Sequence, residues 1–192
     1  MLNDINLFLF YLITSIPIIS VIELKFLSFF ANKLIFLFFF FAFLYGFFSL
    51  KKKLIVRRIF FYKTFIAIII SLLISWIIGI IFPQERPFLS IACKYLLVHE
   101  ATPSFPSNHG IISFTISFSF LFWFQKNWIG LLLFVISFMI TGARIFLCIH
   151  WPFDMVGAFI LAIMACGISQ LFYIIGGYKL LLYIVKLYHL FS

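Results

Sequence analysis

The chain has 192 residues, of which 66% are hydrophobic, 22% aromatic and only 10% charged, with a mean hydropathy of +1.25. A soluble domain of this length cannot bury so much apolar surface, so the composition excludes the soluble classes and predicts an all-α, polytopic transmembrane helical bundle. We expect one membrane-embedded domain over residues 1–192. The net charge of +9 would suggest nucleic-acid binding in a soluble protein, but these basic residues lie between apolar segments, so we expect no nucleic-acid partner.

The apolar segments predict five firm spans, preceded by a run at 5–22 that is either a further span or an interfacial helix. The firm spans are predicted at 34–50, 64–82, 111–124, 128–149 and 153–175. The run at 5–22 is not expected to be a removable signal peptide, because it lacks a basic region before it and a small-residue cleavage site.

Basic residues indicate the orientation of the spans. Six of them fall within 13 positions of the first long loop: Lys51, Lys52, Lys53, Arg57, Arg58 and Lys63. Cytoplasmic loops of membrane proteins are enriched in lysine and arginine, so this loop is predicted to be cytoplasmic. With the spans arranged in this way, nine basic residues lie on the cytoplasmic side of the membrane and five on the outer side. It also places a group of ionisable residues from three separate loops on the outer side: Arg86, His109, Arg144, His150 and Asp154.

The segment at 143–154, A-R-I-F-L-C-I-H-W-P-F-D, carries Arg144, His150 and Asp154 in otherwise apolar surroundings. Pro152 suits the first turn of a helix, because a first-turn N–H has no intrahelical partner. Asp154 is therefore predicted to lie in or near that turn and to fold back towards the imidazole of His150. A histidine held by a carboxylate beside an arginine predicts a nucleophile or base next to an anion-binding group.

A second motif, F-P-S-N-H-G at 105–110, stands immediately before a span. Ser107 is predicted to cap the helix, and the N–H groups that follow lie at the positive end of a helix dipole, where phosphate binds well. Asn108 and Gly110 are included in this predicted phosphate site, Gly110 because it lets the backbone come close to a ligand.

Two histidines in one pocket predict phosphoryl transfer through a phosphohistidine. One ring attacks phosphorus and the other, here His109, protonates the leaving oxygen. Arg86 and Arg144 would neutralise the phosphate oxygens. Ionisable groups at membrane depth cost at least about 2.5 kcal/mol each on insertion scales, so a functional role outweighs the alternative of purely structural pairs.

Three motifs together resemble the signature of the type 2 phosphatidic acid phosphatase superfamily: Arg86-Pro87, Pro106-Ser107-x-His109 and Arg144-x5-His150-x3-Asp154. The likeness extends over nearly the whole chain and is to the bacterial undecaprenyl-diphosphatase branch, the bacitracin-resistance type. It implies a phosphatase of the bacterial inner membrane that needs neither metal nor cofactor and whose site faces the periplasm. Its implied reaction converts undecaprenyl diphosphate to undecaprenyl phosphate, recycling the cell-wall carrier lipid and conferring bacitracin tolerance.

The resemblance also implies a role for each site residue. His150 would be the nucleophile, Asp154 its orienting carboxylate and His109 the general acid. The residues implied to hold phosphate are Arg86, Ser107, Gly110 and Arg144.

Three positions depart from the superfamily's pattern. Gly79 stands where a lysine usually precedes the arginine by seven residues, so one phosphate contact is missing, and Gln84 or Lys94 could substitute for it. Asn108 stands where this branch commonly has aspartate, which removes a charge, and Ala143 replaces the usual serine.

Two alternatives stay open. The first is a related lipid phosphatase or phosphotransferase acting on phosphatidylglycerophosphate or lipid A phosphate, with the headgroup chosen by residues 89–105. Lys94, His99 and Glu100 in that segment are either headgroup contacts or solvated charges. The second is a non-enzymatic carrier in which the arginines merely bind an anionic lipid. The sequence indicates no oligomeric state.

The remaining distinctive residues receive structural interpretations. The three cysteines are predicted to be small apolar fillers rather than disulfide or zinc partners: Cys93, Cys148 and Cys166. The four tryptophans lie near predicted span ends, as is typical of aromatic belts: Trp76, Trp123, Trp128 and Trp151.

Overall fold

The computed structural model describes residues 2–17, 20–40, 44, 55–93, 102–123 and 127–183. These residues form helices and connecting turns, without a strand among them, which confirms the all-α prediction. In chain order the helices are α1 (Leu2–Thr14), α2 (Val21–Asn32), α3 (34–40 in its described part), α4 (Ile55–Ile81), α5 (Pro87–Ser90), α6 (Asn108–Trp123), α7 (Asn127–Phe146) and α8 (Pro152–Phe172). A π-helical turn, Tyr173–Gly177, continues α8.

Three of the predicted spans are present as helices long and apolar enough to cross a membrane: Val56–Ile81, Trp128–Phe146 and Pro152–Tyr183. Helix α6 is shorter, at 16 residues, and nine of these are buried where it packs among α4, α7 and α8. Much of the predicted span at 34–50, and residues 124–126, lie outside the described residues. The total of five spans therefore stays a prediction.

The apolar run at 5–22 does not form one helix. Pro17 has no N–H to donate and disfavours helical backbone in the residue before it, and α1 ends at Thr14. Helix α2 starts afresh with a capping box, in which the Ser20 hydroxyl accepts the Glu23 N–H at 3.2 Å and the Glu23 carboxylate accepts the Ser20 N–H at 3.1 Å. With 13 residues, α1 is about 20 Å long, shorter than the ~30 Å hydrocarbon core. Whether this run spans the membrane or lies at its interface stays a prediction.

Aromatic rings fill the centre of the bundle between α6, α7 and α8. Phe118 of α6 lies 5.2 Å from Phe159 of α8 and 5.6 Å from Phe134 of α7, measured between ring centroids. Since α6 and α8 begin at the same end of the bundle, where α4 and α7 finish, the segments that carry the candidate residues come together there. The backbone N–H of Ser107 donates to the carbonyl of Asp154 at 3.4 Å across this end.

Candidate active site

Hydrogen bonds between distant segments hold the candidate site together. The Ser104 N–H donates to the Gln84 carbonyl at 2.8 Å, which joins the 102–107 segment before α6 to the segment after α4. The Trp151 indole N–H donates to the Glu85 carbonyl at 2.8 Å, which joins the start of α8 to that same segment. The expectation that the three motifs lie at one end of the bundle is therefore met.

The local sequence folds Asp154 back onto His150 as predicted. Pro152 is the first residue of α8 and Trp151 precedes it with extended backbone. The Oδ2 atom of Asp154 accepts the Trp151 N–H at 2.8 Å and lies 3.1 Å from Nδ1 of His150. Both side chains are buried, with 3% of His150 and none of Asp154 exposed. The imidazole is thus held by a carboxylate that water does not reach.

The neighbours of His150 determine its tautomer. Nη1 of Arg86 lies 3.3 Å from Nε2 of His150 and donates to the Ile149 carbonyl at 3.1 Å. A guanidinium has donors only, so Nε2 must be the acceptor and the proton of a neutral ring must sit on Nδ1, facing Asp154. The nucleophilic lone pair at Nε2 therefore faces the cationic side of the site.

Arg86 is fixed by the 102–107 segment. Its Nε donates to the Thr102 carbonyl at 2.9 Å, and its Nη2 donates to the Thr102 hydroxyl at 2.9 Å and the Pro103 carbonyl at 3.4 Å. Only 4% of the residue is exposed. Pro87, in the first turn of α5, follows with a backbone suited to starting that short helix. The guanidinium is therefore oriented before any ligand arrives.

Arg144 brings a second buried cation to the site. Its Nη1 donates to the Ala31 carbonyl at 2.8 Å and to the Asn32 Oδ1 at 3.4 Å, at the carboxyl end of α2. Only 1% of Arg144 is exposed, and its carbonyl accepts the N–H of Ile149, whose own carbonyl accepts a hydrogen bond from Arg86. Burying two like charges near one another is costly, and an anion bound beside them would relieve that cost. A phosphate clamp formed by Arg86 and Arg144 stays a prediction.

A tight turn delivers His150 to Arg86. After α7 the N–H groups of Ile149 and His150 both donate to the Arg144 carbonyl, at 2.9 and 3.4 Å. Cys148 within this turn adopts a left-handed backbone with φ of 59°, which reverses the chain as at many helix ends. Arg144 and His150 are thereby placed on either side of a single turn.

The 105–110 motif is capped as predicted, and its other polar groups have partners of their own. The Ser107 hydroxyl, fully buried, accepts the Gly110 N–H at 3.4 Å. Asn108 is exposed and its Oδ1 accepts the Ser75 hydroxyl of α4 at 2.7 Å. His109 is half-buried in the first turn of α6, at the same end as His150. Roles for these residues towards phosphate stay predictions.

Gly110 allows a close approach between helices. A Cβ atom built on it would lie 2.9 Å from Cβ of Ala158 and 3.3 Å from Cγ2 of Thr141. The missing side chain therefore brings α6 against α8 and α7, whereas the sequence had suggested an approach to a ligand. Its N–H meets Ser107, so a phosphate role for Gly110 stays a prediction.

The prediction that Cys93 and Cys148 are fillers is wrong. They form a disulfide, with Cα atoms 6.3 Å apart, although the two residues are 55 positions apart in sequence. The odd number of cysteines concealed the pair, and only the fold brings the segment after α5 against the turn before His150. Cys166, in contrast, is a free and buried thiol, as expected. Both ends of the disulfide lie close in sequence to a candidate residue.

Sequence reasoning also missed several supporting residues. The Ser104 hydroxyl donates to Oδ2 of Asp154, and Thr102 holds Arg86. Trp151 is 9% exposed and bonded through its indole, so it belongs to the site rather than to an aromatic belt. Asn6 of α1 accepts the Phe153 N–H at 3.0 Å, capping α8 from another helix. A buried asparagine in an apolar segment was the one available signal for this last contact.

Two further points of the sequence analysis concern the polar residues between 94 and 100 and the glycine at position 79. Lys94, His99 and Glu100 lie outside the described residues, so their roles are open. Gly79, at the position where the superfamily usually has lysine, lies beside the 102–107 segment. A Cβ atom there would be 3.6 Å from Cβ of Pro103, an ordinary contact.

The chain is similar to several known proteins. It is 39% identical to Escherichia coli YbjG over 118 residues, covering 62% of this chain and 59% of that protein. It is 32% identical to the Bacillus subtilis undecaprenyl-diphosphatase BcrC over 96 residues, covering 50% of this chain and 49% of BcrC. The aligned part thus spans about half to three-fifths of these relatives.

A solved structure extends the likeness to most of the chain. The crystal structure of Aquifex aeolicus LpxE superposes with a TM-score of 0.70 at 25% sequence identity, covering 86% of this chain and 94% of LpxE. Residues 60–175 match the PAP2 superfamily, and this range contains every candidate residue from Arg86 to Asp154. Since the match covers more than half of the chain, the protein belongs to the PAP2 superfamily.

Proposed function

We propose that this protein hydrolyses undecaprenyl diphosphate to undecaprenyl phosphate and inorganic phosphate, through a phosphohistidine on His150, at the outer face of the bacterial inner membrane. The observation that carries the proposal is the His150 ring itself. Its Nδ1 lies 3.1 Å from the buried Asp154 carboxylate and its Nε2 lies 3.3 Å from Arg86. The choice of substrate is supported by the likeness to BcrC, which is named an undecaprenyl-diphosphatase.

In the first step, Nε2 of His150 attacks the terminal phosphorus. The N–P bond forms as the bond from phosphorus to the bridging oxygen breaks, and His109 supplies a proton to that oxygen. Asp154 stabilises the positive charge that develops on the imidazole, and Arg86 and Arg144 stabilise the phosphoryl oxygens. Undecaprenyl phosphate leaves.

In the second step, water attacks the phosphohistidine. His109, now neutral, takes the proton from the water, the N–P bond breaks, and inorganic phosphate and free His150 are regenerated. The N–H groups at the start of α6, with Ser107, Asn108 and Gly110, are proposed to contact the phosphate during both steps. The protein's own cations supply the charge stabilisation, so the proposed chemistry needs neither metal nor cofactor.

The proposed orientation has two independent supports. Arg57, Arg58 and Lys63 lie in the first three turns of α4, at the end of the bundle opposite the site, and three further lysines precede them in sequence, as expected for a cytoplasmic end. The Cys93–Cys148 disulfide lies at the end that carries the site, and disulfides persist in oxidising compartments such as the periplasm. Both observations favour a periplasmic site acting on the outer leaflet.

The test is phosphate release by the purified protein in detergent, across undecaprenyl diphosphate, phosphatidylglycerophosphate and lipid A phosphate. We expect the polyprenyl diphosphate to be preferred and His150→Gln to abolish release. Acid-labile, base-stable label from a terminally labelled substrate should be trapped on wild type and be absent from this variant. Release by the His150→Gln variant would refute the mechanism, and preference for another lipid would refute the substrate.

Two controls separate the proposal from its alternatives. Full activity is expected with a chelator present, and loss on chelation would count against a mechanism that relies on the protein's own cations. A wild-type protein that binds the lipids but releases no phosphate from any of them would favour the carrier.

A further inference from the structure

Ser104 lies at the centre of the site although none of the three motifs contains it. The residue is fully buried, and its backbone N–H donates to the Gln84 carbonyl at 2.8 Å. Its position is therefore fixed by the segment after α4, independently of α6 and α8. A buried hydroxyl with a fixed backbone can act as a precise hydrogen-bond donor.

The hydroxyl of Ser104 faces the pair formed by Asp154 and His150. Its Oγ donates to Oδ2 of Asp154 and lies 3.4 Å from Nδ1 of His150. A hydroxyl carries one proton, and the carboxylate is the stronger acceptor, so that proton goes to Asp154. The Nδ1–H of His150 then points to the same Oδ2 atom.

Three donors therefore converge on a single carboxylate oxygen: the Ser104 hydroxyl, the Trp151 N–H and Nδ1 of His150. The other oxygen of Asp154, Oδ1, is buried and has no hydrogen-bond partner among the described residues. This asymmetry determines which way the carboxylate is turned. Without the Ser104 hydroxyl, one of the two non-histidine contacts that hold Oδ2 towards the ring is lost.

We propose that Ser104 is a positioning residue that acts through Asp154, keeping Oδ2 aligned with Nδ1 of His150 so that Nε2 stays available for attack. The proposal rests on the proposed function, in which His150 is the nucleophile. Ser104 does not touch the phosphate in this scheme. Its loss should slow the attack while leaving substrate binding unchanged.

The test compares Ser104→Ala with Ser119→Ala. Ser119 is a fully buried serine of α6 whose hydroxyl bonds the Thr115 carbonyl at 2.8 Å, so it controls for removing a buried hydroxyl. We expect Ser104→Ala to lower kcat by about 10- to 100-fold, as for losing a hydrogen bond to a charged group, with KM unchanged. Ser119→Ala should retain wild-type kcat. An unchanged kcat in Ser104→Ala would overturn the proposal.

A double-mutant cycle asks whether Ser104 acts through Asp154. In an Asp154→Ala background, Ser104→Ala should lower kcat by less than about threefold further, because no carboxylate remains for Ser104 to orient. An equally large further loss would show that Ser104 acts by another route and would overturn the proposal. If Ser104→Ala fails to fold, the comparison becomes Ser104→Thr against Ser104→Val, a pair of equal shape that differs in the hydroxyl. Thr should then turn over about 10- to 100-fold faster than Val.

A spectroscopic readout separates this proposal from the proposed function. The chain has four histidines, so NMR of the ¹⁵N-histidine protein in micelles, assigned with His150→Gln, reports the Nδ1–H proton of His150. Arg86 still faces Nε2 in Ser104→Ala, so the tautomer should be kept, but we expect the Nδ1–H signal, shifted downfield in wild type by its bond to Oδ2, to move upfield in the variant. If wild type released no phosphate, the proposed function would fail, and the Ser104 proposal would stand on a shifted Nδ1–H signal or fall on an unshifted one.

Discussion

The Asp154→Asn variant tests how the carboxylate serves His150. Asparagine has the same shape, and three donors meet at the position of Oδ2, so the amide oxygen should occupy that position with the NH2 group at the unbonded Oδ1 position. The tautomer of His150 should then be preserved. What the variant loses is the negative charge opposite an imidazole that becomes positive during attack.

The structure sets the size of this loss. For unit charges separated by the 3.1 Å between Oδ2 and Nδ1, an effective dielectric constant of about 20 gives an attraction of about 5 kcal/mol. This is an upper bound, because the imidazolium charge is spread over both nitrogens. Exchanging a charged for a neutral hydrogen-bond acceptor costs about 1 kcal/mol, which is a lower bound. A loss of about 3 kcal/mol lies between them and corresponds to roughly a 10²-fold lower kcat.

The assay is steady-state phosphate release from undecaprenyl diphosphate, with single-turnover measurement of the first step. We expect kcat to fall by about 10²- to 10³-fold while KM stays within about threefold of wild type. Asp154→Ala should be worse, since it also loses the acceptor for the Trp151 N–H. A kcat near wild type for Asp154→Asn, or a change confined to KM, would refute the role assigned to the charge.

Three further predictions concern the surroundings of the site. Gly79→Lys should fit, because its Cβ would make an ordinary 3.6 Å contact with Pro103. Its KM should be about threefold or more lower than that of Gly79→Met, which adds length without charge. Equal KM values for the two variants would contradict this prediction. Asn6→Leu should remove the 3.0 Å contact to the Phe153 N–H and destabilise the fold by about 1 kcal/mol, which lowers the thermal midpoint by about 2–4 °C. Asn6→Asp keeps the acceptor and should leave the thermal midpoint unchanged. Cys148→Ser should destabilise the protein by about 2–4 kcal/mol. The Cys93 thiol that it frees should react in intact spheroplasts with a reagent that cannot cross membranes, and reaction only after lysis would reverse the proposed orientation.

The parts of the site that could be predicted from the sequence are local. The Ser107 cap involves residues three apart and the Asp154–His150 contact residues four apart, and both follow from the unpaired N–H groups at a helix start. Such preferences operate whatever the rest of the chain does. The position of Pro152 as the first residue of α8 is likewise predictable from the local sequence.

The parts that could not be predicted join residues far apart in sequence. Ser104 and Asp154 are 50 positions apart, and Asn6 and Phe153 are 147 apart. Whether two such residues meet depends on the packing of whole helices, which no local preference encodes. Gly110 illustrates the same limit, because only the fold shows that Ala158 lies against it.

The candidate site is interlocked in a way that bears on substrate choice. The motif residues are held by one another and by the segment before α6: Arg86 bonds Thr102 and the carbonyl before His150, and Asp154 bonds Ser104. Groups oriented before the substrate binds need no reorganisation during the reaction, which is the main source of electrostatic catalysis. A change in any one of them would disturb the others, so this cluster has little freedom to adapt to a new headgroup. Differences in lipid preference within this architecture are therefore expected to arise in those residues of 89–105 that lie outside the Thr102 and Ser104 contacts and supply neither the proposed nucleophile nor the proposed acid.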